Sequence, residues 1–184
     1  VLLLAIYYAY AAASTVASEV ERGTAAVMLS LPISRTRFVV AKFLSLVPGV
    51  ALVNAITFLA VYLGVVLVGE SVSASRLFAV HAYSIVYLLA CAGVGLLASV
   101  AFDSVRRAQT VGAGTVFGLF LLDTFTFDTE YEWLGDLALS RYFDPGAILV
   151  DGNVSLSDLS LLVAAAVVLV VVSSELFERR DLSG

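Results

Sequence analysis

Apolar residues fall in five long runs along this chain, at 1–18, 38–69, 77–102, 108–127 and 159–176, and most charged residues lie between them. A helix crosses a bilayer in about 20 residues, so the pattern predicts five membrane-spanning helices and an all-α polytopic transmembrane bundle. In the last run Val163 to Val172 is nearly all Ala, Val and Leu, and valine's modest helix propensity matters little where lipid forces backbone hydrogen bonds to close within the segment. The 38–69 run is longer than one crossing needs and holds Lys42, Pro48 and Asn54; it is expected to kink at Pro48.

The first break, from Glu19 to Lys42, is the most patterned. Arg22, Arg35, Arg37 and Lys42 would each cost about 3 kcal/mol at the centre of a span, more than the neighbouring Val and Leu residues offset, so this stretch stays outside the hydrocarbon. Val16, Val20, Val27 and Leu31 nevertheless share a stripe at helical spacing, which predicts a surface helix over 19–31. Pro32 would end that helix and Ser34 would cap the next one. The spacing admits two readings, a basic loop that fixes orientation and a helix that docks a partner.

Composition agrees. With 61% hydrophobic and 14% charged residues and a mean hydropathy of +1.02, the chain lies far from the balance of soluble domains. It reads as one transmembrane domain over 1–184 in a lipid bilayer, with no feature for nucleic acid. The start at Val1, inside an apolar run without a basic leader, suggests a missing upstream segment rather than a signal peptide. The lone Cys91 excludes a disulfide framework. The net charge of −5, with Lys42 as the only lysine, hints at a high-salt habitat.

Charge by side orients the chain. Arg22, Arg35, Arg37, Lys42, Arg106, Arg107, Arg179 and Arg180 fall on one side, while Arg76 and Arg141 fall on the other. The positive-inside bias places the first group in the cytoplasm of a multi-pass plasma-membrane protein, with the C-terminus inside. The segment from about 130 to 150 is then extracellular. It is acidic and carries Tyr131, Trp133, Tyr142 and Phe143, and it predicts one or two short interfacial or re-entrant helices.

Enzyme chemistry finds no support. A phosphate-binding loop needs Lys followed by Ser or Thr after a glycine-rich turn, whereas Lys42 lies between Ala41 and Phe43. His81 is the only histidine, too few for a zinc peptidase, and no Gly-x-Ser-x-Gly elbow occurs. Neither catalytic nor metal-ligating residues are assigned. His81 reads as a packing histidine or a proton relay, and Asp123 as the end of a span or a point on a substrate path, since ionisable groups at membrane depth are costly. Asn54, with Thr57, reads as a hydrogen-bonding contact between helices and as a further candidate on such a path. Gly114 and Gly118 form a Gly-x-x-x-Gly step suited to close helix packing.

The run Glu21, Arg22, Gly23, Thr24, then Leu29, Leu31, Pro32, Ile33, Ser34, Arg35 and Lys42 resembles the signature of the ABC type-2 exporter permeases. The short Ser104 to Ala108 turn, the outer segment and the Phe177 to Leu182 tail are similar to the same family, and more loosely to its copper-site maturation branch, the nitrous-oxide reductase type. The resemblance implies six spans, of which the five present would be the second to sixth, and a cytoplasmic coupling helix after the first span present here. It implies that Glu19, Glu21, Arg22, Gly23 and Thr24 belong to that helix, with Pro32 and Arg35 shaping its exit. It also implies a second permease copy, identical or not, and a separate ATPase partner that carries ATP and magnesium, with no cofactor on this chain.

The expected function is therefore a permease subunit of an ABC exporter, in which Gly23 leaves room for the ATPase to approach. An ATPase-independent secondary transporter or channel, with His81 and Asp123 carrying protons or ions, is the alternative. An anchoring protein without a transport path is a third.

Overall fold

The computed structural model describes residues 1–24 and 34–180. Seven α-helices carry the described chain: α1 (Leu2–Thr15), α2 (Ala17–Glu21), α3 (Arg35–Leu44), α4 (Val47–Leu67), α5 (Ala74–Ala101), α6 (Val105–Thr126) and α7 (Leu156–Arg179). Between α6 and α7 come three short segments, the 3-10 turns Glu132–Leu137 and Leu139–Tyr142 and a π turn at Ala147–Asp151. No strand occurs among the described residues.

The bundle is built around α5. Its middle carries Ala90, Cys91, Ala92, Gly93, Gly95, Ala98 and Ser99, all buried, and small residues let neighbouring backbones approach where the solvent offers no hydrophobic drive. α1 lies against both α5 and α6, α7 packs along another side of α5, and α4 touches the bundle chiefly through α5. A Cβ added at Gly95 would meet the Ala9 carbonyl oxygen at 2.0 Å, and one at Gly112 would meet Ala13 Cβ at 3.2 Å. α1, α5 and α6 therefore meet backbone to backbone at one level.

Gly95 and Gly112 take the role expected of Gly114 and Gly118. Both of the latter face outward from α6, with nothing within 4 Å of an added Cβ. The Gly-x-x-x-Gly step is present but meets no other helix among the described residues.

Four helical stretches among the described residues are long and apolar enough to cross a membrane: Leu2–Glu21, Arg35–Leu67, Ala74–Ala101 and Leu156–Arg179. The fourth expected span, 108–127, is a helix, α6, but does not qualify by composition. Arg106, Arg107, Gln109 and Thr110 fill its first turns and Asp123, Thr124 and Thr126 its last. Its 22 residues extend about 33 Å, and packing against α1 and α5 holds it in the bundle. The long second run breaks between α3 and α4, just before Pro48, which sits in the first turn of α4 where its missing N–H costs nothing. Ser34 caps α3 as expected, accepting the Arg37 N–H at 3.2 Å.

The acidic segment is folded onto one end of the bundle. Phe143 stacks on Tyr87 with centroids 5.2 Å apart and tilts against Tyr83 at 5.6 Å. Arg141 reaches Asp123 (3.4 Å), Glu132 (2.7 Å) and Asp136 (3.0 Å), and the Glu132 hydrogen bond, with the charge of Asp136 behind it, holds its guanidinium above its ordinary pKa. Arg76 Nη1 donates to the Val150 carbonyl at 2.6 Å. The two basic residues on this side thus serve as clamps on the segment.

Candidate functional site

Four stretches remote in sequence converge at the arginine-rich end. Where α1 gives way to α2, the Ser14 and Thr15 hydroxyls bond to the Ala11 and Ala12 carbonyls. The Val16 and Ala17 N–H groups both donate to Ser99 Oγ at 2.9 Å. Ser99 is fully buried on α5, so the joint between the first span and the segment that follows is pinned to the central helix.

Beyond that joint, Glu19 Oε1 accepts from Lys42 Nζ at 2.6 Å and its other oxygen accepts the Thr24 hydroxyl. The Lys42 ammonium also lies 5.5 Å from the Phe38 ring centroid. Glu21 Oε2 accepts the Val105 N–H at 3.3 Å. Val105 opens α6, whose N-cap Ser104 makes no side-chain capping bond, so the Glu21 carboxylate supplies both an acceptor and a negative charge at the positive end of that helix.

Arg35 closes the other side. Its Nη1 donates to the carbonyls of Phe177 (3.2 Å), Glu178 (3.1 Å) and Arg180 (2.5 Å). These belong to the end of α7, where carbonyls lack helical partners and the dipole is negative. Phe38 stacks on Phe177 at 5.8 Å, and the Thr36 hydroxyl bonds the Glu178 carboxylate. Arg180 in turn donates to the Val100 carbonyl at 2.6 Å and pairs with Asp103. The segments around Glu19 to Thr24, Arg35 to Lys42, Val100 to Val105 and Phe177 to Arg180 form one connected polar network.

One expectation changes here. The helix predicted over 19–31 does not run on from Glu19: α2 ends at Glu21, and Gly23 takes φ +71°, the left-handed conformation of a residue that closes a helix. The remainder of that helix, and Pro32, lie outside the described residues. Among the described residues nothing lies within 4 Å of a Cβ added at Gly23, and its positive φ is what the local turn requires. Gly23→Ala should therefore cost about 1 to 2 kcal/mol locally and speed amide exchange across residues 17–22 about tenfold by mass spectrometry. Gly23→Asn, which tolerates that angle, should show less. Arg22 is exposed beside this turn.

The path candidates separate. Asp123 is engaged by Arg141 and by the Ser140 hydroxyl at 3.0 Å, and so anchors the acidic segment. His81 and Asn54 instead both line a cleft of about 340 Å³ between α4 and α5. Asn54 bonds within its own helix, to the Val50 carbonyl at 3.0 Å, and Thr57 to the Val53 carbonyl at 2.8 Å, so neither makes the expected interhelical bond. His81 Nδ1 lies 2.9 Å from the Leu77 carbonyl and its ring meets Phe58 edge to face at 5.8 Å. The structure does not join His81 and Asp123 into one ion path.

Sequence reasoning missed Ser99 and the α6 N-terminus as partners. Ser99 lies in a run of small residues where nothing in the local pattern marks one hydroxyl, and Val105 contributes only backbone.

The family model described as "ABC-2 family transporter protein" matches residues 1–182. No curated protein and no solved structure matches the chain. A match over nearly the whole length, on a polytopic helical bundle with Glu21, Arg35 and Lys42 tied into one end, shows that the chain belongs to the ABC-2 transporter family.

Proposed function

We propose that this ABC-2 transporter chain is the permease subunit of an exporter whose ATP is hydrolysed on a separate ATPase partner docked at the arginine-rich, cytoplasmic end. The observation that carries this reading is the polar network at that end. Glu21 reaches the first residue of α6, Glu19 reaches Lys42 on α3, and Arg35 holds the end of α7. A push on the exposed turn at Arg22 to Thr24 would be passed to three helices at once, while Ser99 holds the α1–α2 joint against α5. The segment has charges for a partner to grip and a connection to the spans through which grip becomes motion.

In this reading a second permease copy, identical or not, completes the translocation route, and the outward face of α6 with Gly114 and Gly118 is available to it. The excess of arginine and lysine at one end supports placing that end, and the C-terminus, in the cytoplasm of a plasma-membrane protein.

The test uses the chain reconstituted in vesicles with its matching ATPase. Glu21→Ala removes one charge-assisted bond, worth roughly 1.5 kcal/mol at an exposed site. Transport per ATP hydrolysed should fall about tenfold while the two proteins still copurify. Unchanged transport, or loss of copurification with transport lost in proportion, would count against the coupling role.

A further inference from the structure

The α4–α5 cleft combines apolar walls with two polar side chains. Ala51 and Ala55 on α4 leave the space, Phe58 and Phe78 wall it, and Asn54 and His81 place polar groups on an otherwise apolar lining. Neither polar group is satisfied by the protein in full. Asn54 is only 4% exposed and spends its amide nitrogen on the Val50 carbonyl, while no donor pairs with its oxygen among the described residues. Since no fully buried side-chain polar atom lacks a partner there, that oxygen opens on the cleft. His81 faces a carbonyl through Nδ1, and a carbonyl only accepts, so in the neutral ring Nδ1 carries the proton and Nε2 presents a lone pair.

Two acceptors on an apolar wall, inside stretches that qualify as membrane spans, are costly unless something donates to them. The volume falls in the range of small-molecule sites. We propose that this cleft binds an amphipathic, membrane-partitioned substrate whose apolar body lies between Phe58 and Phe78 and whose polar head donates a hydrogen bond to Asn54 Oδ1 or His81 Nε2, a hydroxyl to one of them and an amine to either or both. The inference rests on the permease reading and names the substrate class for it. Entry is sideways from the bilayer, because among the described residues α4 meets the bundle chiefly through α5.

The probes are a diazirine-bearing hexadecanol and its methyl ether, applied to the full-length chain in nanodiscs without any ATPase, with cross-links located by mass spectrometry. The alcohol is expected to label residues 51–58 and 78–85 about fivefold more strongly than the ether, the worth of one hydrogen bond. The double variant Asn54→Leu with His81→Phe, which keeps the bulk and removes both acceptors, should bring the alcohol down to the ether. Ala55→Trp, which fills the space, should remove labelling by both. Equal labelling by alcohol and ether, undiminished labelling of Ala55→Trp, or cross-links between two copies through this face in place of probe adducts would each overturn the proposal. Binding is read without ATP, so its failure leaves the Glu21 experiment untouched, and failure of that experiment leaves the labelling pattern standing.

Discussion

Gly95→Ala is expected to destabilise the bundle by about 3 kcal/mol, at the upper end of what one inserted methyl costs in a packed interior. The cause is spatial: the new Cβ would stand 2.0 Å from the Ala9 carbonyl oxygen, 2.7 Å from its carbon and 2.9 Å from its Cα. All three are backbone atoms, so no side-chain rotation relieves the overlap and α1 must move away from α5 as a body. That movement separates Val16 and Ala17 from Ser99 and opens the contact with Gly112 on α6. In detergent the apparent thermal midpoint should drop by about 10 °C. Gly114→Ala and Gly118→Ala, where an added Cβ meets nothing, serve as controls and should stay within about 0.5 kcal/mol of the parent. Equal stability of all three variants would show that α1 does not sit where the structure puts it.

Arg35→Ala should release the end of α7 from α3. One guanidinium nitrogen faces three carbonyls, and hydrogen bonds from a charged donor are worth about 1.5 to 3 kcal/mol each in favourable settings. Sharing among three acceptors and partial exposure argue for a total of about 3 kcal/mol. Disulfide trapping between cysteines at Phe38 and Phe177, which stack at 5.8 Å, gives a direct readout, and its rate should fall more than tenfold when Arg35 is also replaced. Arg35→Lys keeps a positive charge at the negative end of α7 but lacks the planar fork, so it should recover less than half of the loss. Full recovery by lysine would mean that charge alone matters and the geometry is incidental.

These two cases separate what a sequence discloses from what it hides. The spans were legible because the bilayer imposes one chemistry on every residue it touches, so runs of apolar residues mark them without knowledge of neighbours. The cap at Ser34 and the break before Pro48 were legible for a similar reason, since each acts within a turn of its own position. Glycine roles were not. Gly95, Gly112, Gly114 and Gly118 look alike along the chain, and which of them touches another backbone depends on the rotation of α5 and α6 about their axes, which only packing sets.

The site shows the same division. Glu19, Glu21 and Arg35 stood out by motif, but their partners are a lysine on another helix, a backbone N–H at the start of α6 and carbonyls at the end of α7. Backbone partners carry no residue signal, so no pattern of side chains could reveal them. Asp123 and His81 looked like one pair of ionisable groups at membrane depth, and they parted because Arg141 claims the first while the second lines the α4–α5 cleft.

By itself the sequence determined that the chain lies in a membrane as a helical bundle, with arginine gathered at one end and acid at the other, because hydropathy and charge act locally and add along the chain. Only the tertiary structure decided which helix is central, which glycines bear contacts and what each motif residue holds. Those outcomes depend on the azimuth and depth at which helices meet, and distant stretches of chain settle them jointly.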